Sequence, residues 1–314
     1  MGRPTTLRAA GIATFAAAAL AITPFASSVP TSTAITSSLA ADCFIPQTNQ
    51  GAAAKGGRGL DHDPMTAADV ARVEEQTKVL LAEKKAQGKF VPQGALAAAT
   101  VPVYFHVMAG ANGEGNVTDA QINAQMAVLN KTFAGQESSQ AANTGFTFTL
   151  AGIDRFYNNN WHVDKQSSTY RTKTRQGGMN ALNIWLVEFD YLGIATFPWS
   201  GSKKIDGIRV HWNSLPGGSI PNYNLGETAT HEAGHWFGLY HTFQGGCTST
   251  NDEVADTAAQ SSPTNGCPVG RDSCTLPGID PIHNYMDYSY DSCYDQFTPG
   301  QSTRMSDMWT AYRA

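Results

Sequence analysis

Charged side chains are scarce in this chain: they make up 15% of its 314 residues, against a hydrophobic share of 41%. A typical soluble domain carries about a quarter charged residues. Glycine, serine, threonine and asparagine fill the space instead, a composition suited to an extracellular, loop-rich protein. There is no long basic run, and the formal net charge is -5. Nucleic acid is therefore not expected as a partner. Past the N-terminal leader no apolar run approaches the ~20 residues that cross a bilayer. No internal repeat is visible. The five cysteines contain no C-x-x-C pair, which argues against a cysteine-held second metal site.

The N-terminus reads as a targeting segment. Arg3 and Arg8 supply a positive start, residues 9–23 are almost wholly small or apolar, and Pro24 follows. This is a signal peptide pattern, assigned to residues 1–41 with cleavage between 26 and 41. The sequence S-L-A before Ala41 offers one cut and the region of Ala26 an earlier one; an uncleaved anchor is the alternative reading. Lipid attachment at Cys43 is opposed by Asp42, because that chemistry wants a small residue before the cysteine. Once the leader is removed, the protein is expected to be secreted, free of the membrane and monomeric.

Residues 42–98 read as a pro-segment that cannot build a core of its own. Within it, 66–87 is expected to be a helix with Thr66 as N-cap and a narrow stripe of Val70, Val73, Val79, Leu80 and Leu81. The small residues 94–100 look like a hinge. An N-terminal helical arm that stays attached is the competing interpretation. The main domain is placed at 99–314. Residues 101–107, 146–153, 182–189 and 207–212 are expected strands, and 118–133 an amphipathic helix with Thr118 and Gln121 spaced as a capping box. Strand, helix, strands, helix is the order of an α/β (α+β) layer with a twisted mixed sheet.

Residues 231–241 read HEAGHWFGLYH. His231 and His235 are four apart, so on a helix they share one face and can hold one ion. Gly238 lets the chain turn sharply out of the helix, since glycine takes positive φ cheaply. That turn brings His241 round as a third nitrogen ligand. Three protein ligands leave a fourth tetrahedral position of Zn2+ open, the catalytic arrangement rather than the structural one. Glu232, beside the first ligand, is placed to act as a general base.

This string and the later NYMDY (284–288) resemble the zinc helix and Met-turn of metzincin peptidases. Together with DEVADT and FTPGQ they are similar to the pappalysin family, in its small secreted bacterial and fungal branch. The resemblance runs from about Val101 to Arg304 and is strongest from His231 to Gln301. It implies a secreted zinc endopeptidase acting on proteins or peptides, with its cleft between a sheet-bearing half and an irregular half. It makes Met286 the Met-turn methionine beneath the metal, and Tyr288 a phenol that steadies the oxyanion. It implies the disulfides Cys247–Cys274 and Cys267–Cys293, where spacing alone allows three pairings. It also implies calcium at Asp252, Val254, Asp256 and Thr257, where the residues alone equally allow a solvated acidic loop.

Cys43 is the odd cysteine. Its thiolate is a candidate latency switch on the zinc, with a free or intermolecular thiol as the alternative. Residues 192–199 read as an edge strand for substrate or as a buried connector. A zinc hydrolase of small amides, or a secreted protein using zinc only for structure, are rival functions; Glu232 speaks against the second. In some relatives of the family this chain resembles, an acid just before the last cysteine goes with a basic preference after the scissile bond; here Ser292 takes that place, with Asp291 adjacent.

Overall fold

A computed structural model describes Gly2, residues 65–88 and residues 99–314; the leader, Cys43 and the rest of 42–98 lie outside the described residues. The apolar run after residue 98 forms β1 (Ala99–Ala109). It lies inside the sheet, parallel to β2 (Phe146–Tyr157) on one side and to β3 (Leu182–Val187) on the other. β3 pairs in parallel with β5 (Ile208–His211), and β4 (Gly193–Ala195) closes the edge antiparallel to β5. The order is β2-β1-β3-β5-β4. A strand flanked on both sides by parallel neighbours is covered on both faces, hence the near-continuous hydrophobicity of β1 and β3.

One face is covered by α2 (Asp119–Phe133) and α5 (Glu227–Trp236). Thr118 accepts from the Gln121 amide and Gln121 answers on the Thr118 amide, closing the capping box. Ile122, Leu129 and Phe133 of α2 are completely buried against Val101, Val103, Phe105 and Val107. Each such side chain contributes about 1.5–3 kcal/mol. The opposite face carries α3 (Asn159–His162) and α4 (Ser167–Thr174), with Met108, Tyr170, Trp185 and Val187 as a second core.

After α5 the chain is largely irregular until α6 (Pro299–Tyr312), which Thr298 and Gln301 cap as a second box. Disulfides Cys247–Cys274 and Cys267–Cys293 staple this half.

The helix before the domain, α1 (Ala67–Ala86), docks along α6. Thr66 caps it, accepting from the Asp69 amide at 3.1 Å. The buried face is Val70, Val73 and Thr77. Val79 differs from expectation: it is 48% exposed, because it lies about 200° round the helix from Thr77. Leu80 and Leu81 are half-buried. Glu74 completes the contact, its two oxygens gripping Arg304 at 2.7 and 3.0 Å.

Candidate metal centre

The 3.6-residue repeat puts His231 and His235 on one side of α5. At its end Gly238 adopts φ +96°, a region that L side chains avoid, and a Cβ there would meet Met308 at 2.6 Å. The Gly238 amide donates to His235 O and the Leu239 amide to Gly234 O, closing the turn. His241 follows. All three imidazoles are buried.

Their Nε2 atoms converge, at 3.1 Å for His231–His235, 3.1 Å for His235–His241 and 3.3 Å for His231–His241. Mutual hydrogen bonds do not explain this cluster. His231 Nδ1 faces Tyr285 O at 2.6 Å and His235 Nδ1 faces Leu239 O at 2.8 Å. A carbonyl only accepts, so each Nδ1 carries the proton and each Nε2 presents a lone pair inward. Nitrogen ligands about 2.05 Å from one tetrahedral zinc would stand about 3.3 Å apart. The donor set therefore fits zinc in type and spacing, and the carbonyl partners supply the outer hydrogen bonds that orient such ligands.

Met286 packs against α5 at Gly234, the residue before His235. A Cβ on Gly234 would meet its sulfur at 2.4 Å, so a helix residue without a side chain is what lets the turn approach. The turn itself is held by Asn284, whose Oδ1 accepts from the Met286 amide, while Met286 O accepts from the Thr242 amide. The Tyr288 ring stands 4.9 Å from that of His241 and 5.7 Å from that of His231, between centroids. Glu232 is 1% exposed. The edge strand β4 runs against it so closely that a Cβ on Gly193 would sit 2.4 Å from its Oε1. A recess beside Glu232 is lined by Leu192, Tyr223, Thr228, Asp291 and Tyr294.

The 251–257 loop is more mixed. Asp252 is wholly buried beside the Thr257 hydroxyl, and burial pushes its carboxyl up to about 8. Those atoms suit a cation. Asp256, however, is engaged at the start of α6, accepting from the Thr298 hydroxyl at 2.7 Å and the Gly300 amide at 2.8 Å. Val254 donates its amide to Asp252 Oδ1.

Several supporting residues escaped the sequence reading. Gly226, at the N-cap of α5, offers no side-chain cap; Asp291 Oδ2, from 66 residues away, accepts from the Leu225 amide instead at 2.8 Å. Burial raises its carboxyl to about 7. Arg313 holds the other end of α5, and the Asn284–Gln301 amide pair ties the Met286 turn to α6. Asn284 and Gln301 lie within the NYMDY and FTPGQ strings, but their pairing, like the contacts of Asp291 and Arg313, closes across a longer stretch of chain than a local motif spans.

Comparison with known proteins gives a consistent answer. The peptidase family profile described as pregnancy-associated plasma protein-A matches residues 182–310. An extracellular metalloprotease of Neurospora crassa is 47% identical over 250 residues, covering 76% of this chain and 85% of that protein. One from Sordaria macrospora is 49% identical over 247 residues, covering 74% and 83%. Among solved structures, a Tannerella forsythia promirolysin variant superposes with a TM-score of 0.61 at 29% identity, covering 77% of this chain and 91% of its own. Mirolysin in complex with a compound gives 0.57 at 33% identity, covering 66% and 90%.

Proposed function

Since the chain belongs to the pappalysin family of metallopeptidases and is a secreted zinc endopeptidase of metzincin fold, we propose that His231, His235 and His241 hold its zinc and that Glu232 is its general base. The observation that carries this is the convergence of three imidazole Nε2 atoms beside a buried carboxylate. The zinc, when bound, lowers the pKa of water toward ~7 and polarises the scissile carbonyl. Glu232 takes the proton of the attacking water and returns it to the leaving amine. The Tyr288 phenol donates to the developing oxyanion. Met286 acts as an apolar floor and not as a ligand. Protein or peptide substrate lies extended along β4, whose antiparallel pairing with β5 leaves it at the edge beside Glu232.

The direct test is hydrolysis of casein with and without a chelator. Chelation should abolish cleavage, and stoichiometric zinc should restore it. Cleavage that survives complete zinc removal would end this reading.

The domain limits 1–41, 42–98 and 99–314 belong to the same proposal, with the protein a monomer. In it, Cys43 caps the zinc of the precursor. Cys43→Ala should then give a precursor that cleaves a peptide substrate before any processing; a variant precursor as inactive as the parent would remove the switch. Calcium is proposed at Asp252 and Thr257, with the carbonyl of Val254 and with Asp256 rearranging. Added calcium should raise the thermal midpoint by several degrees in wild type and not in Asp252→Asn, a linkage shift of a few kcal/mol at saturating ion. Equal shifts in both proteins would place any calcium elsewhere.

A further inference from the structure

Away from the zinc helix, at the ends of the central strands, a second group of ligand types comes together. His162 closes α3, Glu188 directly follows β3, and Glu114 sits in the loop between β1 and α2. One ligand atom from each lies within 4.8 Å of the others. A pair of surface acids beside a histidine would mean little, but the histidine here is not at the surface. His162 is 4% exposed, and its Nε2 has no hydrogen-bond partner.

The environment fixes what that nitrogen presents. Nδ1 stands 2.8 Å from Met108 O, a carbonyl that can only accept. Nδ1 therefore donates to that carbonyl, and Nε2 faces Glu188 Oε2, 3.4 Å away. Glu114 stands on the remaining side. A buried nitrogen and two carboxylates brought together in this way are stabilised by a cation between them, a metal ion or a proton. The carbonyl-anchored imidazole is the same device that orients His231 and His235. Glu188 Oε2 is itself positioned, accepting from the Trp212 indole at 3.2 Å. The loop is fitted to the ring: at Gly115, φ +70°, a Cβ would lie 2.7 Å from His162 Cε1.

We propose that Glu114, His162 and Glu188 form a second binding site for a divalent transition ion, Zn2+ being the ion to test. One imidazole nitrogen and two carboxylates suit zinc, manganese or cobalt, whereas calcium and magnesium prefer all-oxygen sites. Two carboxylates also balance the charge of one divalent ion. Ligands about 2.1 Å from a common ion stand at most roughly 4.2 Å apart, so closure needs only a modest swing of the exposed Glu114. The ion would pin the β1–α2 loop to the end of β3. Both carboxylates of the group are used as ligands, so the ion's role is to hold structure.

The test is metal stoichiometry on the whole protein, in a Glu232→Ala background to prevent self-digestion and in excess calcium to occupy any calcium loop. Equilibrium dialysis against free Zn2+ should load two equivalents per chain. Glu114→Gln combined with Glu188→Gln should load one, and in the otherwise native protein that double variant should keep its casein-cleaving activity. His162→Ala is a poorer probe because the ring is buried; the two glutamate variants leave the fold's interior untouched. Loading of one equivalent in the parent would overturn the site, showing that a proton bridges His162 and Glu188. So would two equivalents retained in the double variant, which would place the extra ion elsewhere.

Discussion

Glu232→Ala is expected to lower kcat/KM on casein by about 10²–10⁴-fold, the range ascribed to a positioned general base, while zinc content stays at the wild-type level. The two halves of that expectation come from different observations. Zinc should stay because the three converging nitrogens belong to His231, His235 and His241, and two of them are oriented by main-chain carbonyls that the substitution does not touch. Activity should fall because Glu232 is the carboxylate next to the first ligand and against β4, where the extended substrate would lie. Glu232→Gln separates basicity from shape: it keeps the volume packed against Gly193 and should lose nearly as much. Gly193→Ala probes position, since its added carbon must displace the Glu232 side chain; it should lower kcat more than it raises KM. Wild-type turnover by a zinc-loaded Glu232→Ala protein would remove this residue from the chemistry.

What could be read from the sequence divides along a physical line. Features set by neighbours within a few residues were legible. The spacing of His231, His235, Gly238 and His241 specifies a helix and a turn, and the Thr118 and Thr66 caps depend on the next three residues. The central strands were legible because burial on both faces makes them largely apolar, His106 and Asn183 being buried polar exceptions. Their ends were less so: β2 runs to Tyr157, beyond the expected 153, because β1 keeps pairing with it there. The stripe on α1 was misjudged at Val79, where composition suggested an apolar contact and geometry turns the residue outward. Interactions that close across long separations left no local trace. The Asp291 cap on α5, the Glu74–Arg304 grip and the Glu114–His162–Glu188 group each join segments the fold alone brings together.

Arg313→Ala is expected to destabilise the domain by about 3–5 kcal/mol, the cost of stranding one partner of a buried ion pair. Arg313 and Asp206 have side chains exposed by 0% and 2%, with Nη1 3.1 Å from the Asp206 carboxylate. Removing the guanidinium leaves Asp206 with the more distant Arg175 at 3.6 Å and the Trp236 indole at 3.1 Å. The same guanidinium lies 3.6 Å over the Trp236 ring and donates to Trp236 O through Nε at 2.9 Å and Nη2 at 2.7 Å. It therefore satisfies a carbonyl at the C-terminal end of α5, where helix carbonyls lack intrahelical partners, one residue past His235. For a domain of this size the loss corresponds to a fall in Tm of roughly 6–20 °C, measurable by calorimetry. A second readout links it to function: zinc should be stripped by chelator faster than from wild type, because the last turn of the ligand helix is no longer clamped. Arg313→Met with Asp206→Leu removes both charges and should recover part of the stability, but not the slower zinc loss, since the carbonyl of Trp236 stays without its donor. A single variant that melts with wild type, or a double variant no more stable than the single, would show that the pair does not hold this end of the helix.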